Sequence, residues 1–183
     1  MKPQEMLERG RFLGEEFLLW VWWRGLSDGG ASGEPGDASA CFVDDSVQLV
    51  NERGEVKELS LRKGNPAESR EAFEALSRGM RPSRAKLRVL AGDLEWTLTL
   101  HAESLLAAAL KLPPSQAKDP AGRAGDRLFL LEEGLGHLER RFQAFLRQRV
   151  ADPPGMEAQL RSWIQGGLQS GQGEAADEVP WES

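Results

Sequence analysis

Seven consecutive apolar residues, Phe17 to Trp23, sit inside a stretch that otherwise reads as helix, and three of them are tryptophans. Wound at helical spacing, Leu13, Phe17, Trp20 and Val21 fall on one face. Phe12, Leu19 and Trp23 fall on a second, and Leu18 and Trp22 on a third. A surface helix needs one apolar stripe, so a helix apolar all round must be covered from more than one side. The run is too short to span a bilayer, which takes about 20 apolar residues. The helix is therefore either the centre of the core or an element shared between the core and a partner. In the second case Phe12, Trp20, Trp22 and Trp23 are the candidate interface residues, for a second copy or another protein.

A chain of 183 residues fits one domain with a tail. The single cysteine, Cys41, excludes an intrachain disulfide and any multi-cysteine metal site. The opening MKPQEMLERGR is charged, and no small-residue cleavage site follows the apolar run, so a cytoplasmic protein without signal peptide or membrane span is expected. The net charge of −6 is unevenly spread: ten Lys/Arg and five Glu between Arg53 and Arg88 leave +5 there and −11 elsewhere. Such a block can form a local phosphate-binding face, because charges act strongly only within about 10 Å at physiological salt. It can equally be a solvated sheet edge guarded by lysine and arginine.

Periodicity organises the rest. A first helix is expected from Pro3 to about Arg24, followed by a mobile loop, SDGGASGEPGDAS, over residues 27–39. Cys41, Val43, Val47 and Leu49 alternate on one face of a strand whose partner returns from Glu55 to Lys63. Asn65, Pro66 and Glu68 read as the capped start of a helix that ends near Gly79. A second hairpin turns at Gly92-Asp93, with Leu87, Val89, Trp96, Leu98 and Leu100 inward and Lys86, Arg88, Thr97 and Thr99 outward. Residues 102–112 fit either a short helix or an extended arm, and residues 113–124 read as a linker loop. Asp126 reads as the cap of a long helix to Val150, with Leu128, Leu131, Leu135, Leu138, Phe142, Phe145 and Leu146 as its apolar set. A short helix around Met156, Leu160, Trp163 and Ile164 closes a single α+β domain, 1–165, ahead of a disordered acidic tail, 166–183. The expected architecture is two antiparallel hairpins forming a sheet packed against the Trp-rich helix and the long C-terminal helix.

The residues that carry chemistry are few. His101 ends a strand on its polar face, and His137 lies on the long helix with Glu133 one turn before it, which supplies no third zinc ligand. Cys41, in an alternating strand, reads as a small buried hydrophobe rather than a nucleophile. The neighbours Asp44-Asp45 and Glu132-Glu133 point apart in a strand or helix, so neither forms a paired-carboxylate site. Neither a phosphate loop nor a nucleophile elbow is present. The reading is a non-enzymatic module without cofactor or metal.

The succession FLGEEFLLWVWW, CFVDDSVQLV, ELSLRKGNPAES, KLRVLAGDLEWTLTLHAESL, LKLPP and DRLFLLEEGLGHLERRFQAFL resembles the C-terminal part of RdgC, over roughly Arg11 to Arg149. RdgC is a bacterial family of recombination-associated, non-specific DNA-binding proteins. The resemblance implies a non-catalytic, dimeric protein that encircles duplex DNA with basic residues facing the hole, although the family's N-terminal half has no counterpart in this sequence. Carried over by position, Arg62, Lys63, Arg81, Arg84, Lys86 and Arg88 are the candidate DNA-binding residues. The alternative is a protein-interaction or structural domain that keeps the fold without DNA.

Overall fold

A computed structural model of the chain describes residues 3–31, 38–51, 58–62, 65–66 and 69–170, with side chains from Leu13 to Gln169. The elements run α1 (Pro3–Ser27), β1 (Ala40–Val50), β2 (Glu58–Arg62), α2 (Arg70–Ser77), β3 (Arg81–Ala91), β4 (Leu94–His101), β5 (Leu106–Lys111), α3 (Pro120–Ala151) and α4 (Pro153–Ser170). The strands form one antiparallel sheet in the order β2-β1-β3-β4-β5. This is an α+β fold built on the two expected hairpins. The segment that fitted helix or arm becomes a fifth, edge strand. One extra residue between Ala108 and Lys111, with Ala109 at positive φ, bulges that edge and blunts it against further pairing.

Period-two alternation decides which side of the sheet is core. Leu87 pairs with Leu98 and Val89 with Trp96, and these four, with Leu100, Val47 and Leu49, are almost completely buried. Against this face lies α1. Phe17, Leu18, Leu19, Trp20, Val21 and Trp22 are each no more than 2% exposed, so the all-round apolar helix is the middle layer of the domain. The sheet covers one side of it. α3 covers a second, with Phe17 edge-on to Phe142 at 5.1 Å and the Trp20 indole donating to Gln148 Oε1 at 2.9 Å. α4 covers a third through Trp22 and Trp163, 5.8 Å between rings, and Trp163 in turn meets Phe73 of α2 at 5.3 Å. Trp20 and Trp22, candidates for a partner interface, are thus packed inside this chain. Trp23 is half-buried with the Arg24 guanidinium 5.6 Å from its ring, and the Phe12 side chain lies outside those described. No helix of the described residues is long and apolar enough to cross a membrane.

Several boundaries differ from the expectation. α2 starts later than Asn65: Asn65-Pro66 sits ahead of it, Pro66 accepts from the Ser69 N–H, and Ser69 becomes the cap by accepting from Ala72 N–H at 3.3 Å. α3 starts earlier, at Pro120, with the Asp119 carboxylate accepting from Gly122 N–H at 2.7 Å. Asp126, the expected cap, lies inside the helix and holds the preceding segment instead. It accepts from Ser115 Oγ at 2.7 Å and from the Gln116 and Ala117 N–H groups at 3.1 Å, which keeps its carboxyl below the usual range. α4 continues through Gly166 and Gly167 to Ser170, so the first residues of the expected tail are helical, and 171–183 lie outside the described residues.

Of the apolar set expected for the long helix, Leu138, Phe142, Phe145 and Leu146 pack on the core, but the helix is rotated in its first half from the expected setting. Its buried residues are Leu130, Gly134, His137, Arg141, Ala144 and Phe145, whereas Leu128 and Leu135 are 58% and 43% exposed. Trp96 sets this rotation. Its indole N–H donates to the Leu130 carbonyl at 2.8 Å, and its ring occupies the space a Cβ at Gly134 would need, 2.6 Å from Cδ1. A glycine, not a leucine, must therefore face the sheet there.

Candidate nucleic-acid interface

The helices gather on one face of the sheet, and the opposite face carries most of the polar positions of β1 to β4. Directly opposed residues in an antiparallel pair share a face, so the register lays out the surface in rows. One row crosses Phe42, Arg88, Thr97 and Lys111 on β1, β3, β4 and β5. Another crosses Gln48, Arg84, His101 and Leu106. Arg84, Lys86 and Arg88 follow one another at two-residue steps along the central strand, about 6.8 Å apart, and all three are half-buried. Arg62 stands on β2 opposite Ser46 and is exposed.

The stretch between those rows departs from regular pairing. Val43 pairs with Leu87 and Val47 with Ala85, so Asp44, Asp45 and Ser46 together oppose the single residue Lys86. This bulge removes the alternation that would turn neighbouring side chains to opposite faces. Both carboxylates reach the same ammonium, Asp44 Oδ2 at 2.8 Å and Asp45 Oδ1 at 3.1 Å from Lys86 Nζ. The hydrogen bonds Lys86 donates to Asp44, then to Asp45, raise its pKa. The expectation that this carboxylate pair points apart is therefore corrected, and Lys86 is a neutralised cation. Arg88 lies with its guanidinium 5.9 Å from the Phe42 ring, and its Nε is buried without a hydrogen-bond partner among the described residues. That distance is within cation–π range, so the guanidinium is seated beside the ring.

The six basic candidates are only partly brought together. Arg84, Lys86 and Arg88 share the open face, and Arg62 lies two strands away on the same sheet. Arg81, at the start of β3, lines a separate cavity of about 340 Å³ with Leu19 of α1 and Met156 and Leu160 of α4. Lys63 lies outside the described residues. Lys111 was missed, because the segment that carries it showed no clear periodicity. Its signal was the pairing partner Thr97, legible only once β5 is known to be a strand.

The remaining titratable groups of note sit in the interior. Burial pushes the Cys41 thiol up to about 12, against a smaller opposing effect of the Arg141 charge, so it is no thiolate near neutrality. Arg141 is itself buried and donates from Nη2 to the Ser39 carbonyl and to Ser39 Oγ, tying α3 to the entry of β1. His137 is buried beneath Trp96, 5.4 Å between rings, with Nδ1 2.8 Å from Arg140 Nη2. Among the described residues no group of three or more His, Cys, Asp or Glu is placed to hold a metal ion. A scan against protein-family models finds no match, and no curated protein matches the chain.

Proposed function

We propose that this chain is a non-enzymatic, cytoplasmic module of the RdgC type that holds duplex DNA non-specifically, in a recombination or replication setting. The contact surface is the open face of the sheet. The observation that carries the reading is the row of Arg84, Lys86 and Arg88 on the central strand, flanked by Arg62 and Lys111, on a face that the helices leave free. Cations at regular steps on a flat surface meet phosphates and carry no base readout. Among the described residues the surface carries one phenyl ring, Phe42, which lies beside Arg88, and the His101 imidazole at the end of β4, too sparse an aromatic set to stack successive unpaired bases. Because Asp44 and Asp45 neutralise Lys86, Arg84 and Arg88 are the working cations and binding is weak.

The test is duplex binding across a salt series, with Arg84→Ala/Arg88→Ala as the comparison. Binding independent of sequence is expected, with a salt slope that falls by about 0.9 for each phosphate no longer neutralised. No detectable binding at low salt, or binding indifferent to the double substitution, refutes the reading.

A second reading, a protein-interaction domain, is favoured by one observation. Leu128, Phe129 and Leu135 stand 58%, 62% and 43% exposed on a single helix. Large apolar side chains exposed together are a usual mark of a protein contact. A homodimer on this face, or on the half-buried Trp23, belongs to that reading and is read by light scattering.

A further inference from the structure

Between the end of β5 and the first turns of α3 lies an open groove of about 740 Å³. Its floor and one wall are apolar, formed by Leu112, Pro113 and Pro114 among others. Among the described residues three cations line it, Lys111, Arg123 and Arg127, and no carboxylate does. Two carboxylates flank the groove without lining it, Asp119 accepting from Gly122 N–H and Asp126 from Ser115 Oγ and the Gln116 and Ala117 N–H groups, so the three cations exceed the neighbouring acids by one charge. Arg123 is fixed at the rim by donating from Nη1 to the Lys118 carbonyl at 2.8 Å.

A groove with apolar walls and an unbalanced positive rim fits an acidic peptide that carries one bulky apolar side chain. It fits a nucleic-acid strand less well, because no aromatic group among the described residues lines it to stack a base. The chain itself contains such a peptide. Residues 171–183, GQGEAADEVPWES, hold Glu174, Asp177, Glu178 and Glu182 around Val179, Pro180 and Trp181, with no basic residue. From Ser170, where α4 ends, eleven residues lead to Trp181, a reach of about 36–40 Å when extended. A compact domain of this size has a radius of gyration of about 15 Å, hence a diameter of about 40 Å, which the extended segment matches, so most of the surface lies within its reach. We infer that the groove between β5 and α3 is the docking site of the chain's own acidic C-terminal segment, with Trp181 on the proline wall and the carboxylates against Lys111, Arg123 and Arg127.

The test uses the full chain with the photo-reactive residue benzoylphenylalanine in place of Trp181, and adducts mapped by mass spectrometry. Adducts are expected to concentrate on residues 110–127. They should be lost in Arg123→Glu/Arg127→Glu, and return when that variant also carries Glu174→Lys, Asp177→Lys and Glu178→Lys. Adducts spread over the surface, or unchanged by either charge reversal, overturn the inference. So does an absence of adducts, together with a single-stranded oligonucleotide whose affinity falls on the same two arginine substitutions. That result would assign the groove to phosphates.

Discussion

Asp44, Asp45 and Ser46 stand opposite the single residue Lys86, and that local misfit sets the charge of the open sheet face. Alternation along the strand gives no hint of it, because a bulge is defined by the partner strand and not by its own sequence. The pair is partly exposed, so its contribution to stability is small, on the scale of surface ion pairs at about 0–1 kcal/mol. For the proposed DNA contact its effect is larger, since it silences one of three cations. Cys41 shows the opposite case, a residue whose role was legible. Its place on the inward period of β1 predicts burial, and it is 2% exposed. An unfolded thiol ionises near about 8.5, whereas the folded one resists until about 12. The unfolded state therefore loses its proton first. The contribution of this thiol is complete below about pH 8.5 and declines as pH rises from there toward 12. A thiol reagent at about pH 8, just below the ordinary thiol range, should leave the native chain unlabelled and label it stoichiometrically in denaturant. Rapid labelling of the native chain would contradict the buried placement.

At the scale of elements, the turn and the two faces of the hairpin of β3 and β4 were readable, although β3 starts at Arg81, ahead of the alternating run. Two clean period-two runs flank Gly92, whose φ of +57° suits the turn, and a one-residue slip would put Trp96 in water. The inward face of α3 was readable in its second half, through Leu138, Phe142, Phe145 and Leu146, and not in its first. Its leucines form the better stripe, yet the helix buries Gly134, His137 and Arg141 toward the sheet. Hydrophobicity alone misleads here because the fit is steric: the indole of Trp96 needs a residue without Cβ above it. Arg141 escaped notice for a related reason, since an arginine on an amphipathic helix reads as solvent-facing until the Ser39 carbonyl appears beside it. Gly134→Ala would place a methyl 2.6 Å from Trp96 Cδ1, and overpacking of that kind typically costs about 1–3 kcal/mol. A denaturant titration should show stability falling by that amount, through the midpoint, with an unchanged slope. Gly136→Ala, at a site that meets only the far end of the Arg140 side chain at 3.5 Å, should show no such loss. Equal behaviour of the two variants would contradict the role given to Trp96.

For the whole molecule, the layering follows from the first feature of the sequence. A helix apolar on all sides takes the middle position, with the sheet on one side and α3 and α4 on the others. Two of the tryptophans that looked available to a partner, Trp20 and Trp22, are consumed by that arrangement. The face left over is the outer side of the sheet, and the basic block between Arg53 and Arg88 supplies its central strand. The block was legible as a charge excess. Which of its members would share a surface was not, because that depends on strand order and on where β3 begins: Arg81 turns to the cavity beside α4, and Arg84 and Arg88 stay on the open face. The most direct test of that face as a DNA surface is to release the cation it holds in reserve. Duplex affinity at low salt should rise in Asp44→Asn/Asp45→Asn, with a salt slope steeper by about 0.9, and the gain should vanish when Lys86→Ala is added. Affinity and slope unchanged in Asp44→Asn/Asp45→Asn, with the fold intact by circular dichroism, would show that DNA does not meet this face.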